Sequence, residues 1–194
     1  MFIVGIGGTL SPASSSERAL HSALAAARER GAWTEAFTGE RMRGLPMYDP
    51  ARPDRTPEAV ELVEALRAAD GVIISSAAYH GSVSGLLKNA LDHVEDLARE
   101  ERPYLTDRPV GLVSVARGWQ GAVHNLAGLR TITHALRGWP TPYGCVINTA
   151  PGGRPGDPVA HHAADLALVA EQVVAAAGHG SRPRPRRLVR GGHA

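Results

Sequence analysis

A polar loop near the amino terminus contains the first residues whose types suit chemistry. Five hydroxyl side chains come just before an alanine-rich segment typical of a helix: Thr9, Ser11, Ser14, Ser15 and Ser16. Hydroxyls and the backbone N–H groups at a helix start can together surround a phosphate. Serines at such positions also act as helix caps and turn formers. On this loop alone, the phosphate-site and capping interpretations are equally supported.

Two common nucleotide motifs do not match this part of the chain. Gly5 and Gly7 have the spacing of a dinucleotide fingerprint, but Leu10 stands where the third glycine is needed. The sequence also lacks the Gly-Lys-Ser/Thr element of nucleoside-triphosphate loops. A phosphate bound here would therefore be held by hydroxyls and helix N–H groups.

A second candidate site lies where a buried strand turns into a helix. Residues 71–74 are a short apolar run, typical of a strand covered on both faces, and a small polar loop follows. Apolar residues then recur at helical spacing on one face: Val83, Leu86, Leu87, Ala90, Leu91 and Val94. Ser82 or Ser84 is expected to cap this helix. Backbone N–H groups should therefore point out of the loop, where a polar ligand can bind them.

The rest of the chain alternates between strand and helix patterns. Strands are predicted over residues 2–6, 32–37, 71–74, 109–115 and 144–148. Helices are predicted over residues 17–30, 57–69, 83–94, 122–136 and 157–177. In the second helix, Val60, Val63 and Leu66 are expected to face inward. Single helices between strands favour a parallel sheet. We therefore expect an α/β fold, a three-layer sandwich with a five-stranded parallel sheet in the order 2-1-3-4-5 and helices on both faces.

This topology brings the polar loops together. In open sheets of this kind, ligands bind beyond the carboxyl ends of the strands, where the strand order reverses. Here that point lies between the first and third strands. The loops over residues 7–16 and 76–82 are expected to flank the crevice, with the loop over residues 116–121 beside them.

The composition is that of one globular domain. The chain has 194 residues, of which 43% are hydrophobic and 21% charged, enough for one sizeable core. We expect a single domain over residues 1–178. The formal net charge is +2, and five arginines without an acidic residue lie in residues 179–194. The basic character thus belongs to an Arg/Pro-rich tail that is expected to be flexible, and no nucleic-acid partner is predicted.

Cysteine and histidine usage limits the metal and redox chemistry. Cys145 is the one cysteine of the sequence, so an internal disulfide and a zinc site of several thiolates are excluded. It is expected to be a buried small hydrophobe. His161 and His162 are neighbours on a predicted helix and are not expected to share a metal ion, so no metal site is predicted.

The hydropathy of the chain and its first residues predict the cellular compartment. No apolar stretch reaches the roughly 18 residues that a membrane span needs. The first residues lack the basic region of a leader peptide and pass directly into a predicted strand. We therefore expect a cytoplasmic protein without a membrane partner.

The second candidate site carries a family resemblance. Residues 78–92, AYHGSVSGLLKNALD, resemble the PEYNGSxxGxLKNAxD motif of the NADPH-dependent FMN reductase family, whose fold is flavodoxin-like. Residues 8–14 resemble that family's GSxRxxS phosphate loop, and residues 45–50 resemble its LPxYNP segment. The resemblance covers roughly residues 2–150.

The resemblance implies an FMN site made of the three loops. The phosphate would be held by Thr9, Ser11, Ser14 and Ser16, with Ser15 in the same loop. The ribityl chain and ring would be lined by Ala78, Tyr79, His80, Gly81 and Ser82. An edge of the ring would face Ala116, Arg117 and Gly118.

Several positions depart from the family pattern. Ser11 stands where the family usually has arginine, which removes a charged phosphate partner. Ala77, Ala78 and His80 replace the usual proline, glutamate and asparagine. Weaker FMN retention is the expected consequence. His80 can restore a hydrogen-bond donor or, because histidine titrates near neutrality, a charge.

The resemblance implies an NAD(P)H-dependent FMN reductase, with NADPH and NADH both left open. Hydride passes directly from nicotinamide to flavin, so no catalytic residue is assigned. Electrons would leave to free flavin, a quinone, an azo compound or a partner monooxygenase. The alternative is an FMN-binding electron carrier or redox sensor without nicotinamide turnover, because fold and flavin site alone do not establish activity. The near-neutral charge disfavours a carrier of the flavodoxin type.

Aromatic residues outside the loops suggest contacts between subunits. The family resembled here is usually dimeric, so a homodimer or homotetramer is expected, and Tyr48 would reach a neighbouring subunit. Trp119 and Trp139 would either stack on a bound ring or pack at a subunit contact.

Overall fold

The structure is a computed structural model of the protein, and it describes residues 1–11, 13–151 and 155–179. The tail predicted over residues 179–194 lies outside this part of the chain, apart from His179. None of the helices within the described ranges has an apolar stretch long enough to cross a bilayer.

A parallel sheet forms the centre of the molecule. Its strands are β1 Phe2–Gly7, β2 Trp33–Phe37, β3 Gly71–Tyr79, β4 Ser82–Val83, β5 Pro109–Ala116 and β6 Trp139–Asn148. Five of them run parallel in the order β2-β1-β3-β5-β6. The two-residue strand β4 pairs only with β3, antiparallel to it. The predicted order is confirmed, with β4 as an addition.

Helices cover both faces of this sheet. They are α1 Ser15–Glu29, α2 Gly39–Met42, α3 Pro57–Ala68, α4 Gly85–Asp92, α5 Trp119–Ala135, α6 Pro158–His161 and α7 Ala163–His179. A 3-10 helix over His93–Leu97 continues α4. The apolar residues of α1 and α7 pack on one face, and those of α3 and α4 pack on the other.

Successive residues of the central strands supply the two cores. Ile3 and Ile73 are buried against α1 and α7, whereas Val4 and Ile74 are buried in the core that includes α3 and α4. Side chains alternate between the faces of a strand. An apolar run without polar interruptions therefore marks a strand that is covered on both sides, as residues 71–74 predicted.

Two strands are longer than predicted by several residues. β3 continues past Ile74 to Tyr79, because Ser75, Ser76 and Ala77 still pair with β5. β6 begins at Trp139 and not at residue 144. Prolines within its first four residues hid this start, since proline cannot donate to a ladder and is tolerated mainly on edge strands such as this one.

Several helices also differ from the prediction. α4 begins at Gly85, and Val83, which was predicted on its apolar face, lies on β4. α5 begins at Trp119, three residues before the predicted start. The predicted helix over residues 157–177 is divided into α6 and α7, because His162 between them has a non-helical backbone. Val60 was expected to face inward but is 46% exposed. The buried stripe of α3 runs instead through Ala59, Leu62, Val63 and Leu66.

Candidate functional site

Three loops meet at one edge of the sheet. β1, β3 and β5 are neighbours and run parallel, so their carboxyl ends share an edge. The residues predicted to contact a cofactor all lie on the segments that follow these strands or at the adjoining ends of elements. The topology therefore collects them at the point where the strand order reverses.

The loop between β1 and α1 is organised by its own hydroxyls. Ser14 is the N-cap of α1, and its Oγ accepts a hydrogen bond from the N–H of Glu17 at 3.3 Å. Thr9 Oγ1 accepts from the N–H of Ser11 at 3.1 Å. The hydroxyls of Ser14 and Thr9 thus shape the loop, which supports the capping interpretation. Capping leaves other first-turn N–H groups of the helix free for an anion.

Ser16 does not face the solvent. It is 1% exposed, and its Oγ lies 3.2 Å from Ser14 Oγ. Its carbonyl oxygen accepts a buried hydrogen bond of 2.7 Å from Ser75 Oγ on β3. Ser16 therefore lies beneath the loop and anchors the first turn of α1 to the central strand. In this conformation its hydroxyl is placed to support Ser14.

Gly7 explains why β1 and β3 approach so closely here. A Cβ atom at Gly7 would lie 2.2 Å from the carbonyl oxygen of Ser75. No side chain fits in that space, so glycine allows the loop to leave β1 directly against β3. The N–H of Gly8 then donates to the same Ser75 oxygen at 3.3 Å.

A tight hairpin forms the second loop. His80 and Gly81 both have positive φ angles, 52° and 79°, as the two central residues of a type I′ turn require. They connect β3 to β4, with Tyr79 paired to Ser82 and Ala78 paired to Val83. Tyr79 is 52% exposed and His80 is exposed. The hairpin therefore presents both side chains at the open edge of the sheet.

His124 of α5 lies under this turn, and sequence analysis did not identify it. Its Cδ2 would be 3.6 Å from a Cβ atom at Gly81. His124 is exposed and follows the third loop by only a few residues, so its imidazole lies near both the second and the third loop. A histidine on an exposed helix face gives no pattern by which sequence could have found it.

The third loop connects β5 to α5. The carbonyl oxygen of Ala116 accepts hydrogen bonds from the N–H of Thr149 at 2.9 Å and from its hydroxyl at 3.2 Å. Gly118 has a φ of 134° and precedes α5 without a side-chain cap. Arg117 between them is exposed. The loop is thus tied to the end of β6 and leaves one cation at the rim of the site.

A further loop is fixed by the asparagine of the central motif. Asn89 Nδ2 donates to the carbonyl oxygen of Pro46 at 2.9 Å, and His93 Nε2 donates to the same oxygen at 3.1 Å. The Tyr48 ring packs edge-on against the His93 ring with the centroids 5.4 Å apart. The segment that resembles LPxYNP is therefore held on α4, beside the hairpin.

An arginine completes this loop. The guanidinium of Arg55 donates to both carboxylate oxygens of Asp96, at 2.7 and 2.8 Å, and lies 4.6 Å from the centre of the Tyr48 ring. This hydrogen bonding lowers the pKa of Asp96. Partial burial is the main cause that raises the pKa of Tyr48. The tyrosine therefore stays protonated at neutral pH.

A cavity of about 860 Å³ opens beside the third loop, at the end of β6. Trp119, Asn148, Thr149, His161 and His162 are among the residues that line it. Trp119 belongs to both the cavity wall and the first turn of α5. Sequence analysis did not foresee this cavity, because its walls come from segments with no common motif.

Cys145, His162 and Asp165 form a cluster whose potential ligand atoms lie within 4.8 Å of one another. The two carboxylate oxygens of Asp165 and the Nδ1 atom of His162 are already engaged, however. Asp165 accepts a hydrogen bond of 2.7 Å from the hydroxyl of Tyr143, and its other oxygen lies 2.8 Å from His162 Nδ1. Burial raises the pKa of the Cys145 thiol to about 12. The cluster is therefore a structural network that joins α7 to β6.

A family model described as NADPH-dependent FMN reductase matches residues 1–151. The chain belongs to this family. The match confirms the predicted family, and the family description carries both predicted cofactors, FMN and NADPH.

The chain is also similar to individual proteins. It is 39% identical over 83 residues to an NADPH azoreductase of a Bacillus species, an alignment that covers 42% of this chain and 43% of that one. An oxidoreductase structure from Corynebacterium diphtheriae has a TM-score of 0.74 at 21% identity and covers 92% of this chain and 97% of its own. A flavodoxin of Streptococcus pneumoniae has a TM-score of 0.61 at 12% identity, with 90% and 99% covered. The flavodoxin-like fold is thereby confirmed.

Proposed function

We propose that this member of the NADPH-dependent FMN reductase family is an NAD(P)H-dependent flavin reductase, with FMN bound across the three loops. The observation that carries the proposal is the convergence of these loops at the edge where β1, β3 and β5 end. This is the position at which doubly wound sheets bind nucleotides.

The donor set of the first loop fits a phosphate. Thr9, Ser11, Ser14 and Ser15 supply hydroxyls, and the first turn of α1 supplies N–H groups with the positive end of a helix dipole. Ser16 supports them from beneath through Ser14 and Ser75. We assign these residues to the phosphate end of FMN.

The second and third loops fit a flat aromatic ring. Gly81 and Gly118 add no side chain, and Ala78 and Ala116 add only a methyl group, so a planar group can approach the backbone closely. Tyr79, His80, Ser82 and Arg117 supply polar atoms around this surface. We assign these residues to the ribityl chain and ring.

The chain itself has a limited task in the reaction. FMN, when bound, supplies the two-electron chemistry by accepting hydride from a nicotinamide. The protein residues hold the two rings together and keep water from the ring face. We assign no side chain as a catalytic acid or base.

The electron acceptor is proposed from the relatives. One relative is named an NADPH azoreductase, and an azo compound or a quinone has a flat, conjugated core that can stack on the same ring face as a nicotinamide. Free flavin and a partner monooxygenase are the other acceptors. The cavity beside Trp119 offers space next to the ring for such a molecule.

We also propose that the protein forms a homodimer. Trp119 and Val123 are 59% and 56% exposed and lie one helical turn apart on α5, next to the site. Two large apolar side chains at this position suit a contact with a second copy, which would cover the open side of the ring. Sedimentation of the purified protein should give twice the chain mass, and a monomer would contradict this.

A single experiment tests the reductase against the carrier. Purified protein is mixed with FMN and NADPH, and the nicotinamide absorbance band is followed after an azo dye, a quinone or free flavin is added. Oxidation well above the buffer rate supports the reductase. Bound flavin without NADPH oxidation would support the electron carrier or sensor, and a failure to bind flavin would refute both functions.

A further inference from the structure

An arginine lies beside the first turn of α1. Arg18 Nη2 donates to Ser15 Oγ at 3.3 Å. Long side chains on helices lean toward the amino end, so the guanidinium of Arg18 reaches back over the hydroxyls of the loop. The loop itself, residues 8–16, contains no lysine or arginine. A cation for a phosphate in this loop must therefore come from outside it.

The other end of the same guanidinium is paired with a carboxylate. Arg18 Nη1 lies 2.5 Å from Asp157 Oδ2, and both side chains are 40% exposed. Asp157 is the N-cap of α6, where its Oδ1 accepts from the N–H of Val159 at 3.0 Å. An ion pair as exposed as this one is weak. A phosphate dianion at the loop would compete with Asp157 for Arg18.

Arg43 also contacts the loop, but its position is different. Arg43 Nη2 lies 3.4 Å from the carbonyl oxygen of Leu10, and Arg43 Nε pairs with Glu40 at 3.3 Å. Its contact is with a backbone acceptor and not with the hydroxyls at the start of α1. Arg43 therefore serves as an internal comparison for Arg18.

We propose that Arg18 is the cationic ligand of the FMN phosphate and that Asp157 holds it when no phosphate is bound. The pair then sets the preference for phosphorylated flavin over riboflavin. This inference rests on the proposed function, because it takes the loop as the phosphate site. It also changes one expectation from the sequence. Arg18, on the helix that follows the loop, supplies the positive charge that Ser11 lacks. The weaker FMN retention expected from the sequence is therefore not expected once Arg18 is included.

The test compares dissociation constants for FMN and riboflavin, measured by quenching of flavin fluorescence. Arg18→Gln removes the charge, and FMN binding should weaken about tenfold or more because a charge-assisted hydrogen bond is lost. Riboflavin binding should not change. Asp157→Asn removes the competing charge but keeps a good N-cap residue, so FMN binding should tighten by about two- to threefold.

Matched controls use the same type of substitution elsewhere. Arg28→Gln removes an arginine in the last turn of α1, where Arg28 donates to Thr34. From the rise per residue of a helix, this position is about 15 Å from Arg18. Arg43→Gln changes the arginine that contacts Leu10. Neither variant should alter the ratio of the two dissociation constants.

The outcomes separate the two proposals. If the wild-type protein binds FMN no more tightly than riboflavin, the loop is not the phosphate site. That result would refute both the proposed FMN binding mode and the role of Arg18. If the wild-type protein prefers FMN and Arg18→Gln keeps that preference, only the role of Arg18 is refuted. Tighter FMN binding by Asp157→Asn cannot result from misfolding. Unchanged FMN binding by that variant would refute the proposed competition between Asp157 and the phosphate for Arg18.

Discussion

The side-chain oxygen of Asn89 accepts a hydrogen bond of 2.9 Å from the backbone N–H of Tyr48. Through its amide group, Asn89 also donates to the carbonyl of Pro46. One buried side chain on α4 thus satisfies a donor and an acceptor of a loop that is more than forty residues away. Asparagine is required here because it combines both functions at the end of a short side chain.

Asn89→Ala should destabilise the protein by roughly 1–3 kcal/mol, because the Tyr48 N–H loses its partner and the Pro46 carbonyl keeps only the donor from His93. Chemical denaturation measures this change. Lys88→Ala is the matched control, since Lys88 is an exposed neighbour that pairs with Asp92, and its effect should be below about 0.5 kcal/mol. Equal effects of the two substitutions would contradict the assigned role of Asn89.

Ser14→Ala should reduce both stability and FMN binding. Loss of the N-cap costs about 1 kcal/mol, and loss of the hydroxyl removes a donor to the proposed phosphate. Thr56→Ala is the control, because Thr56 caps α3 in the same way. It should lower stability similarly while the dissociation constant for FMN, measured by fluorescence, stays unchanged. If both variants bind FMN equally well, Ser14 is only a cap.

Much of this architecture could be predicted from the sequence. Parallel strands joined by single helices allow few arrangements, because the crossovers are right-handed. The apolar run at Ile73 and Ile74 identified the central strand, and the loops after β1, β3 and β5 followed from the order. These features depend on periodicity and on short connections, which a single sequence records.

Other features depend on contacts that a sequence does not record. The strand β4 has two residues, Ser82 and Val83, which is too short for any periodic pattern. Ser16 belongs to a serine cluster, and only its packing beneath the loop against Ser75 of β3 shows that it is buried. Arg18 and Asp157 are 139 residues apart. Their pairing follows from the packing of α6 near α1 and from nothing local in either segment.

Acid should weaken the contact between Arg55 and Asp96. The hydrogen bond from Arg55 lowers the pKa of Asp96 below its ordinary value of 3.8. A carboxyl group with a lowered pKa in the folded state adds stability above its unfolded pKa and loses it as pH falls through the folded pKa. Asp96→Asn should therefore be less stable than wild type at pH 7, by about 1 kcal/mol.

The difference in unfolding free energy between wild type and Asp96→Asn should shrink as the pH drops below 3.8 toward the pKa of Asp96 in the folded protein. Denaturant titrations of both proteins at a series of pH values measure it. Asp92→Asn is a suitable control because its partner Lys88 is exposed. A difference between wild type and Asp96→Asn that stays constant with pH would show that Asp96 contributes by packing alone.

Cys145 should not react in the folded protein. It is fully buried, and burial raises the pKa of its thiol to about 12, so the reactive thiolate is scarce at pH 8. A thiol reagent such as iodoacetamide should label the chain only after a denaturant is added, as mass spectrometry would detect. Prompt labelling under native conditions would mean that the β6–α7 contact opens readily.

Two substitutions in the β3–β4 turn should change the free energy of unfolding in opposite directions. His80→Asn places at the first central position the residue that type I′ turns prefer, so the free energy of unfolding should rise slightly. Gly81→Ala puts a side chain at a φ of 79° and should cost about 1 kcal/mol or more. Thermal unfolding measures both. If His80→Asn stabilises the turn but binds FMN less tightly than wild type, the His80 imidazole contributes to FMN binding. If the variant binds FMN equally or more tightly, His80 has only a backbone role in the turn.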